Sequence, residues 1–508
     1  MPKNMFYSAL MLTGANLALR MVSMGFQVYL SGLIGAAGIG LLQLTLSVSA
    51  LAMTAGMAGV RTSAMYLTAE ETGKGRQGGV DRVLSVCFVY SFIFSGTVAL
   101  AVYAFAPRLA AGWIGDGRTQ QALEIFAAFL PVVCLGGVMS GYFTAAGRIR
   151  DLVGVEIAEQ AVSMAVTVIL LSNWSRGDPG RSCSAVVAGS SAASLVTLIS
   201  LMVLRRREKN RLSQKASAGP VLPRLLRVAL PLALADDLRM GISTVENLIV
   251  PRRLALFPGS SPLADYGQVC GMVFPTVMFP AAILFSLAEL LIPELSRCAA
   301  AGRRKRISYL TARSLRVALL YGLAAGGVLF TAAYPLGLLL YDSQRVGQLL
   351  RQFSLLVPML YVDAVTDATV KGMGQQVACV RYNTLTSFLD VMILWVLLPR
   401  YGLTGYYISF VFTHALNFFL SIRRLSRVTG FRGETGQSLR ALAAWAAGLC
   451  ICSLLPQGEG LGEILFLSCC FLGIFFLLLT LAGVLNKGDL LWVQGLVRPS
   501  EAGSKKQT

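Results

Sequence analysis

The stretch LPVVCLGGVMSGYFTAAGR (residues 130–148) has a counterpart further along the chain, VPMLYVDAVTDATVKGMGQ (357–375). Pro131 and Gly147 in the first match Pro358 and Gly374 in the second, at an offset of 227 residues. At nearly the same offset FAPRLAAGWIGD (105–116) mirrors AYPLGLLLYDS (333–343), and IGLLQL (39–44) stands opposite DYGQVC (265–270). One period shared by several segments predicts two like units, 1–205 and 223–426, joined by a basic linker at 206–222. Residues 427–486 fall outside the repeat as an additional helix pair, followed by a tail at 487–508.

The 508 residues are 55% hydrophobic and only 14% charged, with a mean hydropathy of +0.66. An ordinary soluble protein carries nearly twice that charged fraction. Apolar runs of about 20 residues recur from end to end, each long enough to cross a hydrocarbon core about 30 Å thick. The sequence therefore predicts an all-α polytopic membrane protein. We read spans at 5–32, 39–68, 82–106, 119–146, 151–173, 183–204, 227–251, 264–296, 307–333, 351–371, 377–398, 403–422, 437–455 and 462–485, about fourteen in all. The first run lacks a small-residue cleavage site and is expected to be a retained helix.

Six spans per unit is an even number, so both units enter from the same side. The expected arrangement is two six-helix lobes related by a pseudo-twofold axis along the membrane normal, with a central cavity between them. The net charge of +19 is placed asymmetrically. With a cytoplasmic N-terminus, 32 of the 44 Lys+Arg fall at inside segments and helix ends, and nine fall outside. That bias predicts both termini in the cytoplasm. The basic segments RRREKNRLSQK (205–215) and RRKR (303–306) are then anchors facing anionic membrane lipids rather than a nucleic-acid site.

Ten cysteines lie scattered with no metal-knuckle or redox spacing, which suits small packing residues. A single histidine, His414, rules out motifs needing two, and no Walker-type loop points to ATP. With no nucleophile motif, no paired loop carboxylates and no metal ligands, an enzyme is not expected.

An ionisable side chain at mid-membrane costs roughly 2.5–3.5 kcal/mol on insertion scales and signals function by default. The first span carries Asn16, Arg20, Ser23 and Gln27 on one face; the seventh carries Asp236, Arg239, Ser243 and Glu246 on one face. The two spans are repeat equivalents, so both stripes are expected to line one cavity. Mutual neutralisation of Asp236 and Arg239 is the structural alternative. A deep guanidinium suits phosphate oxygens in fork geometry. Arg61 either adds to that charge or snorkels to the interface.

In the tenth span Asp363, Asp367 and Lys371 follow one another at four-residue spacing. Lys371 can pair with Asp367 one turn away. Asp363 has no such cation and is expected to bind a cation, share a proton or reach Arg239. Asp236, Asp237, Asn383 and Asp390 form a further polar set on the seventh and eleventh spans. Glu156 and Glu159 are expected to pair with Arg148 and Arg150, Glu289 and Glu294 with Arg297, and His414 to be a hydrogen-bonded packing residue.

LSGLIGAAGIGLLQLTLSVSALAMTAGMAGVRTSAMYLTAE (30–70) and LAELLIPELSRCAAAGRR (287–304) resemble the sporulation stage V protein B group. That group belongs to the multidrug/oligosaccharidyl-lipid/polysaccharide (MOP) superfamily, beside the lipid II and polysaccharide flippases. The resemblance implies a transporter of the bacterial cytoplasmic membrane. In lipid II flippases an arginine of the first helix faces the cavity toward the lipid diphosphate; LRMVSMGF (19–26) puts Arg20 there. The family's second arginine is replaced by Gln27 nearby. Some of those flippases hold sodium between an aspartate of helix seven and polar groups of helices eleven and twelve, which implies such a role for Asp237 and Asp390.

The expected function is a secondary transporter that flips a lipid-linked oligosaccharide or cell-wall precursor by alternating access. Its partners would be the lipid-linked saccharide and anionic lipids; no cofactor is expected beyond a coupling sodium ion or proton, and the chain is expected to act as a monomer. The alternatives are a sodium- or proton-coupled drug or metabolite antiporter, and a non-transporting scaffold for envelope assembly.

Overall fold

The computed structural model describes residues 3–73, 77–175, 177–209, 220–431, 435–456 and 458–484. Most of the basic linker, the tail at 487–508, Arg176 and the side chain of Asn16 lie outside the described residues. Every regular element among the described residues is helical. The apolar runs become α1 (Lys3–Met57), α2 (Val60–Gly73), α3 (Gln77–Arg108), α4 (Gln120–Ala145), α5 (Ile149–Leu170), α6 (Pro179–Lys209) and α7 (Val221–Leu254). Short helices α8 (Pro262–Tyr266) and α9 (Phe274–Met278) flank a wide π-helical stretch at Gly267–Val273. Beyond them come α10 (Ala282–Ala300), α11 (Arg304–Thr331), α12 (Ala333–Tyr341), α13 (Gln344–Ser354), α14 (Val357–Gly372), α15 (Gln376–Thr429), α16 (Thr435–Cys452) and α17 (Leu461–Leu481).

By length and composition eight helical stretches among the described residues can cross a membrane, or ten if each of two bent pairs is one span. Two of the eight are too long for one crossing. Leu17–Gly73 has 57 residues, about 85 Å of helix at 1.5 Å per residue, against a core of about 30 Å. It is folded at Gly35, whose φ of 67° and ψ of 173° interrupt the helix. The 54-residue α15 is interrupted in the same way at Gly402. This is a multi-pass membrane protein.

Chain contacts gather the residues into two compact units. The first holds residues 1–282 with 380–417. Its core is built where α4 packs against α2, α3 and α6, with Leu67, Leu84, Met139, Phe143 and Leu201 buried together. Close packing needs small residues: a Cβ on Gly141 would stand 2.5 Å from the Arg61 carbonyl oxygen. The second unit, 283–379 with 418–508, has a core in which Leu323 of α11 meets Phe471, Phe475 and Leu479 of α17 and Ala444 and Leu449 of α16. Gly327 of α11 lets the Phe471 ring approach so closely that a Cβ would lie 1.9 Å from it.

The two segments matched in the sequence end in the same helix cap, a form that α10 and α17 share. Where α4 ends, Ala146 N donates to Tyr142 O, Gly147 N to Thr144 O and Arg148 N to Phe143 O. Where α14 ends, Met373 N donates to Thr369 O, Gly374 N to Lys371 O and Gln375 N to Val370 O. Each donor and each acceptor of one cap is displaced by 227 from its equivalent in the other. Gly147 and Gly374 adopt φ of 71° and 74°, the left-handed conformation that closes a helix and that a side chain would strain.

The segments at 36–40 and 263–267 also touch each other reciprocally. A Cβ on Gly40 would lie 2.0 Å from Leu263 O, and one on Gly267 would lie 2.0 Å from Ala36 O. Residues 36 and 40 are the 227-offset equivalents of 263 and 267. Such reciprocity, i touching j while j's equivalent touches i's, is the signature of a twofold relation.

Candidate functional site

The site is assembled within the first unit around Asp390, which is 5% exposed. Asp390 lies before the break in α15; Ser409 and Thr413 lie after it. In a straight helix Ser409 would be about 28 Å from Asp390. The break at Gly402, with φ of 57°, folds the second half back. Ser409 Oγ then donates to Asp390 Oδ1 at 2.5 Å and Thr413 Oγ1 donates to the same oxygen at 3.1 Å.

Glu246 of α7 completes the centre, its carboxyl an electrostatic neighbour of that of Asp390. Two neighbouring carboxyl groups favour a proton or a cation between them, because two bare like charges would repel. Around the pair, Tyr266 is buried, Cys270 Sγ lies 4.0 Å from the Tyr406 hydroxyl, and Asn247 Nδ2 donates to Ser47 Oγ at 3.0 Å. Phe410 stacks between Tyr406 and His414, and His414 Nδ1 lies 3.0 Å from the Phe410 carbonyl oxygen. The result is an oxygen-rich centre of two carboxyls and two hydroxyls walled by aromatic rings. That donor set suits a proton or a small hard cation.

The other polar candidates fall into separate groups. Asp237 stands nine residues before Glu246, about 13 Å along the axis, with Asp236 and Tyr90 as its electrostatic neighbours. The α7 residue beside Asp390 is thus Glu246, which the sequence places with the substrate stripe. Asn383 is seven residues from Asp390 and its carbonyl accepts from Thr386 Oγ1. Asp236 and Arg239 are both exposed, and no ion pair joins them among the described residues. Gln27 Nε2 donates to Gly271 O at 3.0 Å, tying α1 to the π-helical stretch. Arg20 and Arg61 are exposed, and Arg61 acts electrostatically on Glu156.

In the second unit Lys371 Nζ lies 3.5 Å from Asp367 Oδ2, the expected one-turn pair. Asp363 is half-buried. The expected partners of Glu156 and Glu159 are corrected: Arg148 Nε instead donates to Asp151 Oδ2 at 2.7 Å, the nearest acid on its own helix turn. Glu156 and Glu159 face a cavity of about 350 Å³ with Gln160, Ser163 and Ser190. Glu294 does meet Arg297, at 3.9 Å, but Arg306 binds it more closely at 2.8 Å.

The exposed residues of α7 fall on two faces. Leu230, Leu234, Leu238 and Val245 are exposed on one, with Leu234 72% exposed. Asp236, Arg239 and Ser243 are exposed on a face roughly opposite at 100° per residue. An apolar exposed face suits lipid; a charged one does not.

A profile of the family described as "Polysaccharide biosynthesis protein" matches residues 6–296, more than half of the chain. The chain belongs to that family. Within curated proteins, the Bacillus subtilis (strain 168) "Stage V sporulation protein B" is 21% identical over 429 residues, covering 82% of this chain and 83% of that one. In solved structures, the lipid II flippase MurJ in its inward closed conformation superposes with a TM-score of 0.69 at 11% identity, covering 96% of this chain and all of the other. An inward-facing multidrug resistance MATE family transporter of the MOP superfamily gives a TM-score of 0.63 at 14% identity, over 82% of this chain and 99% of that one. The family member described here therefore has the MOP transporter fold.

Proposed function

We propose that the protein is a secondary transporter that flips a lipid-linked oligosaccharide or cell-wall precursor across the bacterial cytoplasmic membrane by alternating access. The fourteen-span, two-lobe plan with both termini inside belongs to this proposal. The observation that carries it is the charged exposed face of α7, repeat-equivalent to the Arg20 stripe of α1. A wet face with Arg20 and Arg239 on it matches a diphosphate head group, while a scaffold would have no use for such costly charges. Glu246 and Asp390, fixed by Ser409 and Thr413, are the coupling centre for a sodium ion or a proton; Asp363 and Asp367 are the second candidates for that role.

Replacing Arg20 with alanine should abolish complementation of a flippase-deficient bacterium while the protein still reaches the membrane. Full complementation by that variant would remove Arg20 from head-group binding. The second reading is a cation-coupled antiporter of drugs or metabolites, favoured by the exposed Asp236 beside the half-buried Asp237. It predicts that cationic compounds, and not lipid-linked sugars, compete for transport.

A further inference from the structure

The second unit holds a cavity of about 600 Å³ that the transport reading leaves unused. It is enclosed by α11, α14, α16 and the end of α15, and its wall is mostly apolar, with Leu319, Leu320, Met359 and Val362 among the lining residues. Two arginines, Arg313 and Arg316, also line it, and none of its lining residues is Asp or Glu. Both lie on one face of α11, three residues apart.

The opposite wall is polar where it need not be. Gln437 and Trp445 lie on one face of α16, eight residues apart, and both line the cavity. The Gln437 Oε1 and Trp445 Nε1 atoms are buried and make no hydrogen bond among the described residues. A buried donor and acceptor left unmade each cost about 1–3 kcal/mol, so a cavity that keeps both is shaped for a ligand that satisfies them. The required ligand has apolar chains, a negative charge for the two guanidinium groups, an oxygen for the indole N–H and a hydroxyl for the amide oxygen.

The residues that follow α17 are tied to α11 and α16 beside the cavity. Arg316 Nη2 donates to Val484 O at 2.5 Å and Arg440 Nη1 donates to Ala482 O at 2.9 Å. The same end of the helices carries the basic run at 303–306 and Arg423, Arg424 and Arg427. On the orientation proposed above, this is the cytoplasmic leaflet, where anionic lipids are drawn to basic pockets between helices.

We propose that this cavity is a binding site for an anionic phospholipid with a hydroxyl-bearing head group. The phosphate sits against Arg313 and Arg316, Trp445 donates to a phosphate or ester oxygen, the head-group hydroxyl donates to Gln437, and the acyl chains lie along α11 and α14. The charge match selects a phospholipid over a neutral amphiphile.

The test uses the full chain in bilayer nanodiscs of equal phosphatidylglycerol and phosphatidylcholine, extracted into mild detergent, with retained lipid counted by native mass spectrometry. Wild type should retain phosphatidylglycerol at least tenfold over phosphatidylcholine. Arg313→Gln/Arg316→Gln should lose that preference. Trp445→Phe, which keeps the ring and removes only the N–H, should lower retention several-fold without lowering the melting temperature in phosphatidylcholine alone. Equal retention of the two lipids, or unchanged preference in both variants, overturns the proposal. So does displacement by soluble glycerophosphate at millimolar concentration, which would mean a free phosphate site. Binding that appears only after residues 485–508 are removed would assign the cavity to the chain's own C-terminal segment, and displacement by a polyprenyl phosphate would assign it to the transport path; either outcome also overturns it.

Discussion

Gly40 and Gly267, 227 residues apart, pack backbone against backbone, each lodged on the carbonyl that precedes the other by four residues. This contact leaves no room there for a side chain. An alanine at either position would have to push a Cβ to within 2.0 Å of a carbonyl oxygen.

Gly40→Ala and Gly267→Ala should therefore each lower stability by about 1–3 kcal/mol, the usual cost of overpacking. Alanine's helix preference, about 1 kcal/mol, does not offset this. Gly25 has nothing within 4 Å of its Cβ position, so Gly25→Ala should be neutral or stabilising. Thermal unfolding in detergent compares the three; equal melting temperatures would refute the close contact.

Arg224 at the start of α7 binds Glu70 at 2.6 Å and Glu71 at 2.8 Å, and Glu71 is fully buried. Removing the arginine strands a buried carboxylate, which typically costs about 3–5 kcal/mol. Arg224→Gln should thus be much worse than Glu71→Gln, and the double variant should recover part of the loss. A double-mutant cycle of unfolding free energies reads the coupling. Additive single effects would show that the pair is not linked.

Gly402 holds φ at 57°, and a Cβ there would stand 2.9 Å from the Phe257 ring. Its ψ of −138° puts it in a positive-φ region open essentially to glycine, which costs a side chain about 1–3 kcal/mol. Gly402→Val should cost more than Gly402→Ala and should separate Ser409 from Asp390, with coupled transport falling at least tenfold. Full transport by the valine variant would mean that the hinge does not build the site.

In the loop before α4, Asp116 caps the 117–119 turn and its Oδ2 lies 2.6 Å from Arg118 Nη2. That hydrogen-bonded guanidinium, the largest influence, holds the Asp116 carboxyl below the usual range. A depressed carboxylate contributes stability that is present above its unfolded value, about 3.9, and is lost as pH falls through its folded value. The protection factors of the amides at 115–119, relative to intrinsic exchange at each pH, should hold at pH 7 and fall below about pH 4. Protection that does not change down to pH 2 would contradict this cap.

The all-helical, membrane-crossing character was legible from the length of the apolar runs, and the one-turn Asp367–Lys371 pair because helical periodicity states which residues share a face. Periodicity does not state what that face meets. Glu246 follows Arg239 on one stripe, so sequence alone groups it with the substrate-facing charges. Which helix meets Asp390 is a tertiary fact: Glu246 of α7 is its electrostatic neighbour, and the reversal at Gly402 brings Ser409 and Thr413 to the same carboxyl. For the same reason Arg148 took Asp151, one turn away, rather than the glutamates further along α5. The Gly40–Gly267 contact could have been sought: two glycines at the repeat offset, the first in the small-residue run GAAGIG (35–40), are the sequence trace of a close approach. The apolar wall around Arg313 and Trp445 left no such trace, since it gathers residues from four helices with no shared spacing.

The transport account rests most directly on movement of a lipid-linked sugar across a bilayer coupled to a cation. Purified protein in liposomes, loaded with a fluorescent lipid-linked oligosaccharide, should flip it faster when a sodium or proton gradient is applied. Asp390→Asn should remove the gradient dependence and Arg20→Ala should remove flipping altogether. Flipping that ignores both gradients and both substitutions, or no flipping by the folded wild-type protein under any gradient, would contradict the account.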